Sequence, residues 1–163
     1  MKLREIFANY AAFYREIYVP SLIAREVRHD DHRQHVAEPF DLCRPPPHEL
    51  KALPAPYQRL LTEVGFGVIY FSQRVEPARF EILSPERSRK LIGEYQSPVS
   101  RAGLSPFMLE ENEKFMSAAR MSSPSVLVAD SITGTWTEVE SIERFFMLFF
   151  ENAMDEEAFF SRM

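Results

Sequence analysis

The spacing of apolar residues at the start of the chain predicts a long amphipathic helix over residues 2–18. Its large apolar side chains recur every three or four positions, which places them on one helical face: Leu3, Ile6, Phe7, Tyr10, Phe13, Tyr14, Ile17 and Tyr18. We expect Pro20 to end this helix, because the residue before a proline avoids helical geometry. Ser21 is a suitable cap for a second helix over residues 22–28.

Prolines mark the starts of three further helices. Pro54 and Pro56 suit the first turn of one helix, which the glycines after Val64 end. Ser-Pro pairs at residues 84–85 and 105–106 open the next two, because serine caps a helix and proline fits its first position. The second of these pairs predicts a helix over residues 105–120.

Five segments are predicted as β-strands from their β-branched, aromatic or alternating residues, and they are residues 40–43, 68–71, 79–83, 125–129 and 135–139. The segment at 125–129 is continuously apolar, which is typical of a strand buried on both faces. Together with the helices, these strands predict an α+β fold with a mostly antiparallel sheet of about 4–6 strands flanked by helices. The length of 163 residues suits one domain, residues 1–163, in which residues 1–40 form an N-terminal helical extension.

The last predicted helix, which begins near Glu140 or Ser141, is unusually apolar. Its large side chains recur at helical spacing, and they are Ile142, Phe145, Phe146, Phe149 and Phe150. Met147 and Leu148 widen this face, so that most of the helix circumference is apolar. Either the helix packs on two sides within the chain, or it presents a surface for a dimer or another partner.

Charge and cysteine content narrow the functional classes. The formal net charge of −5 argues against general nucleic-acid binding, which depends on basic residues that neutralise phosphates. One cysteine, Cys43, excludes an intramolecular disulfide and is compatible with a reducing cytoplasm. Charged residues within the first helix argue against a signal peptide, and the longest apolar run, Phe145 to Phe150, is too short to cross a bilayer. We therefore expect a cytoplasmic protein that binds neither nucleic acid nor membrane.

The sequence offers few candidates for chemistry. His29, His32 and His35, with two aspartates nearby, would share one broad helical face and could bind a metal. A solvated helix end or loop is the alternative, and we favour it because a metal site also needs hydrogen bonds that orient its ligands. Cys43, beside a proline-rich loop, is a weaker candidate for a nucleophile. The chain has no glycine-rich phosphate loop, HExxH, CxxC or nucleophile elbow, so we expect neither enzymatic activity nor a cofactor.

Residues 48–67, HELKALPAPYQRLLTEVGFG, resemble the opening of the SMI1/KNR4-like (SUKH) superfamily, where Leu-Pro and a tyrosine lead a helix that ends at a glycine turn. The strand and Ser-Pro helix start at residues 81–86 are similar to the segment that often follows in that family. The late strand pair, with a helix opened by Ser-Ile-Glu-Arg-Phe-Phe, is similar to its end, so the resemblance covers about residues 48–152. The chain departs from the family where Gly65-Phe66-Gly67 replaces the usual Asn-Gly, and where the predicted helix 105–120 replaces a Gly/Asp-rich turn.

The resemblance implies a non-enzymatic bacterial immunity protein that binds and neutralises a cognate toxin, often a nuclease, and it carries over no catalytic residue. An acidic surface would suit a basic nuclease. The hypothetical partner surface is therefore the densest group of acids in the sequence, and its members are Glu138, Glu140, Glu143, Glu151, Asp155, Glu156 and Glu157.

Two other functions stay open at this point. A chaperone or adaptor for a secreted effector also fits a small, acidic, aromatic-rich chain, and it predicts a homodimer that forms through the last helix. A small metal-dependent enzyme would use the three histidines. The metal content of the purified chain separates this last alternative from the two binding functions.

Overall fold

The computed structural model describes residues 1–29, 38–71, 78–94, 103–111, 115–130 and 135–154. Its helices are α1 (Leu3–Phe13), α2 (Val19–His29), α3 (Ala55–Glu63), α4 (Pro85–Glu94) and α5 (Ile142–Met154), with a π-helical segment at Tyr14–Tyr18 and a 3-10 turn at Pro47–Glu49. Its strands are β1 (Phe40–Cys43), β2 (Phe66–Phe71), β3 (Ala78–Ile82), β4 (Leu104–Glu110), β5 (Phe115–Arg120), β6 (Val126–Asp130) and β7 (Thr135–Val139). In these ranges no helix has both the length and the apolar character needed to cross a membrane.

All seven strands form one antiparallel sheet, and each strand pairs with its neighbours in chain order. The predicted α+β class, with an antiparallel sheet flanked by helices, is confirmed. The sheet is wider than the predicted range because residues 104–120 contribute two strands to its centre.

The predicted helix over residues 105–120 is wrong, because this segment forms β4 and β5. Phe107, Met108 and Leu109 are consecutive buried residues, which fits a strand covered on both faces and not the period of a helix. Pro106, interpreted as a helix start, lies instead where the pairing of β4 with β5 shifts register. A β-bulge tolerates proline, since the ladder is already interrupted there.

The prediction that Pro20 ends the first helix is also wrong. The helix continues from α1 through the π-helical segment into α2, and Pro20 lies in the first turn of α2. The wider π-type turn before it accommodates a residue that has no N–H group to donate. Ser21 is not a cap but lies within α2, where its hydroxyl donates to the Ile17 carbonyl oxygen at 2.7 Å.

Two other predicted helix starts are confirmed by their caps. The Ser84 hydroxyl accepts the backbone N–H of Arg87 at 3.1 Å at the start of α4. The Ser141 hydroxyl accepts the backbone N–H of Arg144 at 3.1 Å at the start of α5. These caps fix where each helix leaves the preceding strand.

The two faces of the sheet differ in what covers them. Ile69 of β2 and Phe80 of β3 are paired and point to the same face of the sheet, and α1, α3 and α5 pack against this face. We call it the inner face. We call outer the opposite face, on which Leu109 clusters with Leu83 and with Leu91 of α4. Alternation along each strand then assigns the sheet residues to the two faces, except at the bulge in β4, where Phe107 and Met108 both belong to the inner core.

The main core lies between α1, α5 and the inner face. Phe7 of α1 contacts Phe146 and Phe150 of α5, with ring centroids 4.8 and 5.0 Å apart, and Tyr10 stacks on Phe150 at 4.3 Å. Tyr10, Phe146 and Phe150 are fully buried. The wide apolar surface of α5 is therefore used on two sides within the chain, and α1 is an integral part of the core.

Candidate functional site

Helix α5 crosses the inner face from β7 towards β1. It begins just after the end of β7, at Ile142. Phe145, in its second turn, contacts Phe107 of β4 at a centroid distance of 5.5 Å, and Phe150 lies 6.2 Å from Phe40 of β1. The helix thus passes from the last strand to the first, and it leaves one corner of the inner face open.

A groove of about 390 Å³ occupies this corner. Its lining includes Val128 and Thr137 of the sheet and Asn152 of α5, and the exposed Phe115 and Leu148 stand at its rim. Phe115 and Leu148 are 40% and 38% exposed, which is high for large apolar side chains. The groove is therefore an apolar surface that solvent can reach.

Glu110 places a carboxylate in this apolar groove. Leu109 pairs with Met116, so Glu110 and Phe115 stand beside each other at the ends of β4 and β5. The Oε2 atom of Glu110 is shielded from solvent and has no hydrogen-bond partner in the described part of the chain. A shielded carboxylate oxygen without a hydrogen-bond donor is energetically unfavourable.

Sequence reasoning missed the groove because it assigned residues 105–120 to a helix. That assignment places Glu110 and Phe115 on one helix and not at the adjoining ends of two paired strands. The run of three large apolar residues at 107–109, which breaks the helical period, was the signal that could have corrected the assignment.

The acids predicted as a partner surface do not form one patch. Glu138 pairs in register with Leu127 on the outer face, and its Oε1 atom accepts the Ser125 hydroxyl at 2.6 Å. Helix α5, which carries Glu143 and Glu151, lies on the inner face. The sheet therefore separates Glu138 from the acids of α5.

The remaining acids have different environments. Glu143 forms an ion pair with Arg59 of α3, so its charge is already compensated. Glu140 and Glu151 are both exposed. Glu140 lies just before the start of α5, and Glu151 lies in its last turn. Asp155, Glu156 and Glu157 lie outside the described residues. The described part of the predicted surface thus retains Glu140 and Glu151 as exposed acids near α5.

A second pocket, of about 450 Å³, lies on the outer face beside α4. Its charged side chains face one another: Arg79 lies 3.9 Å from Glu111, and Arg87 lies 4.0 Å from Glu81. These four side chains are all more than 40% exposed, so each pair is a solvent-screened surface contact. Glu110 also lines this pocket, so its lining holds three acids and two arginines, without a concentration of one charge that would select an ionic ligand.

The candidates for metal and nucleophile chemistry gain no support. Among the described side chains, none forms a group of three or more histidine, cysteine or carboxylate residues placed to hold a metal. His32, His35 and the side chain of His29 lie outside the described residues, so that hypothesis is untested. Cys43 is exposed at the end of β1.

Comparisons of this chain with protein-family models, with curated proteins and with solved structures found no match.

Proposed function

We propose that this chain is a non-enzymatic immunity protein that binds and neutralises a cognate bacterial toxin. The observation that carries the proposal is the groove beside α5, an apolar opening with exposed Phe115 and Leu148 on its rim. Exposed apolar surface around a groove is typical of sites where proteins bind one another. The resemblance of residues 48–152 to the SUKH superfamily supports a toxin as the partner.

Charge supports a basic partner. The formal net charge is −5, and the exposed Glu140 and Glu151 lie near the same helix that forms the groove wall. A toxin that acts on nucleic acid carries basic residues for the phosphates, and opposite charges speed the association of two proteins. In this proposal the chain neutralises the toxin by occupying its surface, without chemistry of its own.

Co-expression tests the proposal. The tagged chain is produced with each product of its neighbouring genes, and the survival of the cells and the composition of the purified complex are measured. We expect one neighbour to be toxic alone, harmless with this chain, and recovered with it in a one-to-one complex. If no neighbour is both bound and neutralised, the proposal is refuted.

Charge reversal then tests the acidic surface. We expect Glu140→Lys combined with Glu151→Lys to slow association with the toxin by about tenfold at low salt, and the effect to shrink as salt screens the charges. Glu143 is not a suitable single target, because its replacement would also remove the ion pair that joins α5 to Arg59 of α3, and the loss of charge would not be tested alone. Asp41→Lys combined with Glu86→Lys is the control, since it changes the charge by the same amount at two exposed acids on the outer side of the sheet, where the exposed Glu86–Lys90 pair is screened by solvent. Equal effects of the two reversals would remove the acidic surface from the proposal.

A homodimeric chaperone or adaptor for a secreted effector is the second candidate. The exposed Phe115 and Leu148 favour it to the extent that the groove could bind a second copy of the chain. Light scattering on the purified protein separates the two functions. A stable dimer that holds an effector without suppressing any toxicity would replace the immunity proposal.

A further inference from the structure

We propose that the groove beside α5 receives an apolar segment of the partner and that a lysine or arginine next to this segment pairs with Glu110. The inference rests on the proposed function for the identity of the partner, a toxin. It goes beyond that function by naming the contact site and the chemistry of the segment that binds there.

The apolar part of the contact follows from the shape and lining of the groove. Its volume of about 390 Å³ is within the range of about 300–1,000 Å³ that is usual for ligand pockets. Val128 forms part of the floor, while Phe115 and Leu148 stand at the rim with over a third of their surface exposed. A partner's apolar side chains would remove this surface from water, which favours binding in proportion to the area covered.

The cationic part follows from Glu110. Its Oε2 atom is shielded and lacks a hydrogen-bond donor within the described part of the chain. None of the described residues that line the groove is a lysine or an arginine. Within the described residues no donor is placed to satisfy this oxygen, and a cation supplied by the partner forms the strongest kind of hydrogen bond to a carboxylate.

The next acid in the chain, Glu111, provides a comparison for Glu110 because a cation lies near it. Glu111 follows Glu110 directly and lies on the opposite side, where Arg79 is 3.9 Å away. Glu111 is 60% exposed and so keeps most of its contact with water. In the described part of the chain, Glu111 is exposed and has an arginine near it, whereas the Oε2 atom of Glu110 is shielded and has no donor, so Glu111 is the control acid.

Charge also selects between occupants of the groove. A second copy of this chain would bring the same net charge of −5 and the same carboxylate to the contact. A basic segment of a different protein has complementary charge, and complementarity is what fixes the choice of partner. The observations therefore favour a basic, apolar segment of the toxin over self-association.

Defined peptides test the inference without requiring the toxin. The probes are two amphipathic helical peptides of about 11 residues, or three turns, with a leucine-rich face. They are identical except that one carries a lysine beside this face and the other carries norleucine there. Binding of each fluorescent peptide to the full-length chain is measured by anisotropy. We expect the lysine peptide to bind about tenfold more tightly, as suits one charged hydrogen bond.

Four variants assign this preference to the groove. Glu110→Gln should abolish the preference for lysine, and Glu111→Gln should preserve it. Leu148→Ala should weaken both peptides about fivefold, since it removes apolar contact. Ile23→Ala should affect neither, because Ile23 is a 49% exposed apolar residue on α2, away from the groove.

Several outcomes would overturn the inference. They are a lysine preference that persists in Glu110→Gln, unchanged binding by Leu148→Ala, or no binding of either peptide. A dimer in light scattering that Leu148→Ala dissociates would assign the groove to a second copy instead. If a toxin is neutralised and its affinity for the chain is unchanged by replacement of Glu110 and Leu148, the proposed function stands and only this inference fails. If peptides bind as expected but no neighbour is neutralised, the groove stands and the immunity function fails.

Discussion

Replacing Gly67 by alanine should detach β1 from the sheet. Gly67 lies in β2 opposite Leu42 of β1, with a backbone φ of +136°. A Cβ atom added there would stand 2.1 Å from the Asp41 carbonyl oxygen and 3.2 Å from the Leu42 Cα. Both contacts are to backbone, so no side-chain rotation relieves them, and β1 must move away.

The cost can be estimated from two terms. Positive φ costs an L-residue roughly 1–2 kcal/mol. Displacing β1 also loosens Phe40, whose ring lies 5.2 Å from Phe7 and packs against the main core. Partial loss of a buried aromatic contact adds on the order of 2 kcal/mol. We therefore expect Gly67→Ala to lower the free energy of unfolding by about 3–4 kcal/mol.

Gly103→Ala is the matched control. Gly103 also has positive φ, at +65°, but an added Cβ atom there would meet nothing within 4 Å. It should therefore cost only the backbone term, about 1 kcal/mol. Urea unfolding, followed by the fluorescence of the single tryptophan, Trp136, measures both variants. Hydrogen exchange should increase in β1 for Gly67→Ala alone. Equal stabilities of the two variants, or unchanged exchange in β1, would refute the reasoning.

The remaining predictions concern two buried aromatic side chains. Tyr57→Phe should cost about 1–2 kcal/mol, because the buried hydroxyl donates to the Leu83 carbonyl oxygen at 2.6 Å and that acceptor would be left unpaired. Burial raises the pKa of Tyr57 above its ordinary value of 10.0, so its contribution to stability is complete below that pH and is lost as the pH rises further. Urea midpoints measured across this alkaline range should fall less steeply for Tyr57→Phe, and parallel slopes would contradict the assignment. Phe150→Ala should cost about 3–5 kcal/mol because Phe150 is fully buried against Tyr10, whereas Leu148→Ala, at a 38% exposed position, should cost less than about 1 kcal/mol. Similar denaturation midpoints for these two variants would contradict the assignment of Phe150 to the core and of Leu148 to the surface.

Local signals predicted most of the elements because their causes are local. The Ser-Pro pair at 84–85 marks a true helix start, since the capping bond joins residues only three apart. The Ser-Pro pair at 105–106 led to a wrong helix prediction, because a proline also fits a bulge between two strands. Only pairing with the neighbouring strands β3 and β5 determines which of the two applies, and the partner residues lie beyond the few positions that a capping pattern covers.

The glycines at 65 and 67 likewise have one role that the local sequence predicts and one that depends on residues distant in sequence. The sequence predicts that they end α3, and the Gly65 N–H does close that helix by donating to the Leu60 carbonyl oxygen at 3.1 Å. The stronger constraint on Gly67 comes from the close approach of β1. That approach joins residues far apart along the chain, so no local pattern could predict it.

The sequence by itself determined the α+β class, the amphipathic faces of α1 and α5 and the acidic net charge, since these depend on composition and on periods of a few residues. Only the tertiary structure decided that Glu138 faces away from the acids of α5, and that α5 crosses the sheet from β7 towards β1. That crossing leaves the groove open and places Glu110 in it beside Phe115. The physical reason is that the site is made of residues from β4 to β7 and α5, which become neighbours only when the sheet and the helix pack together.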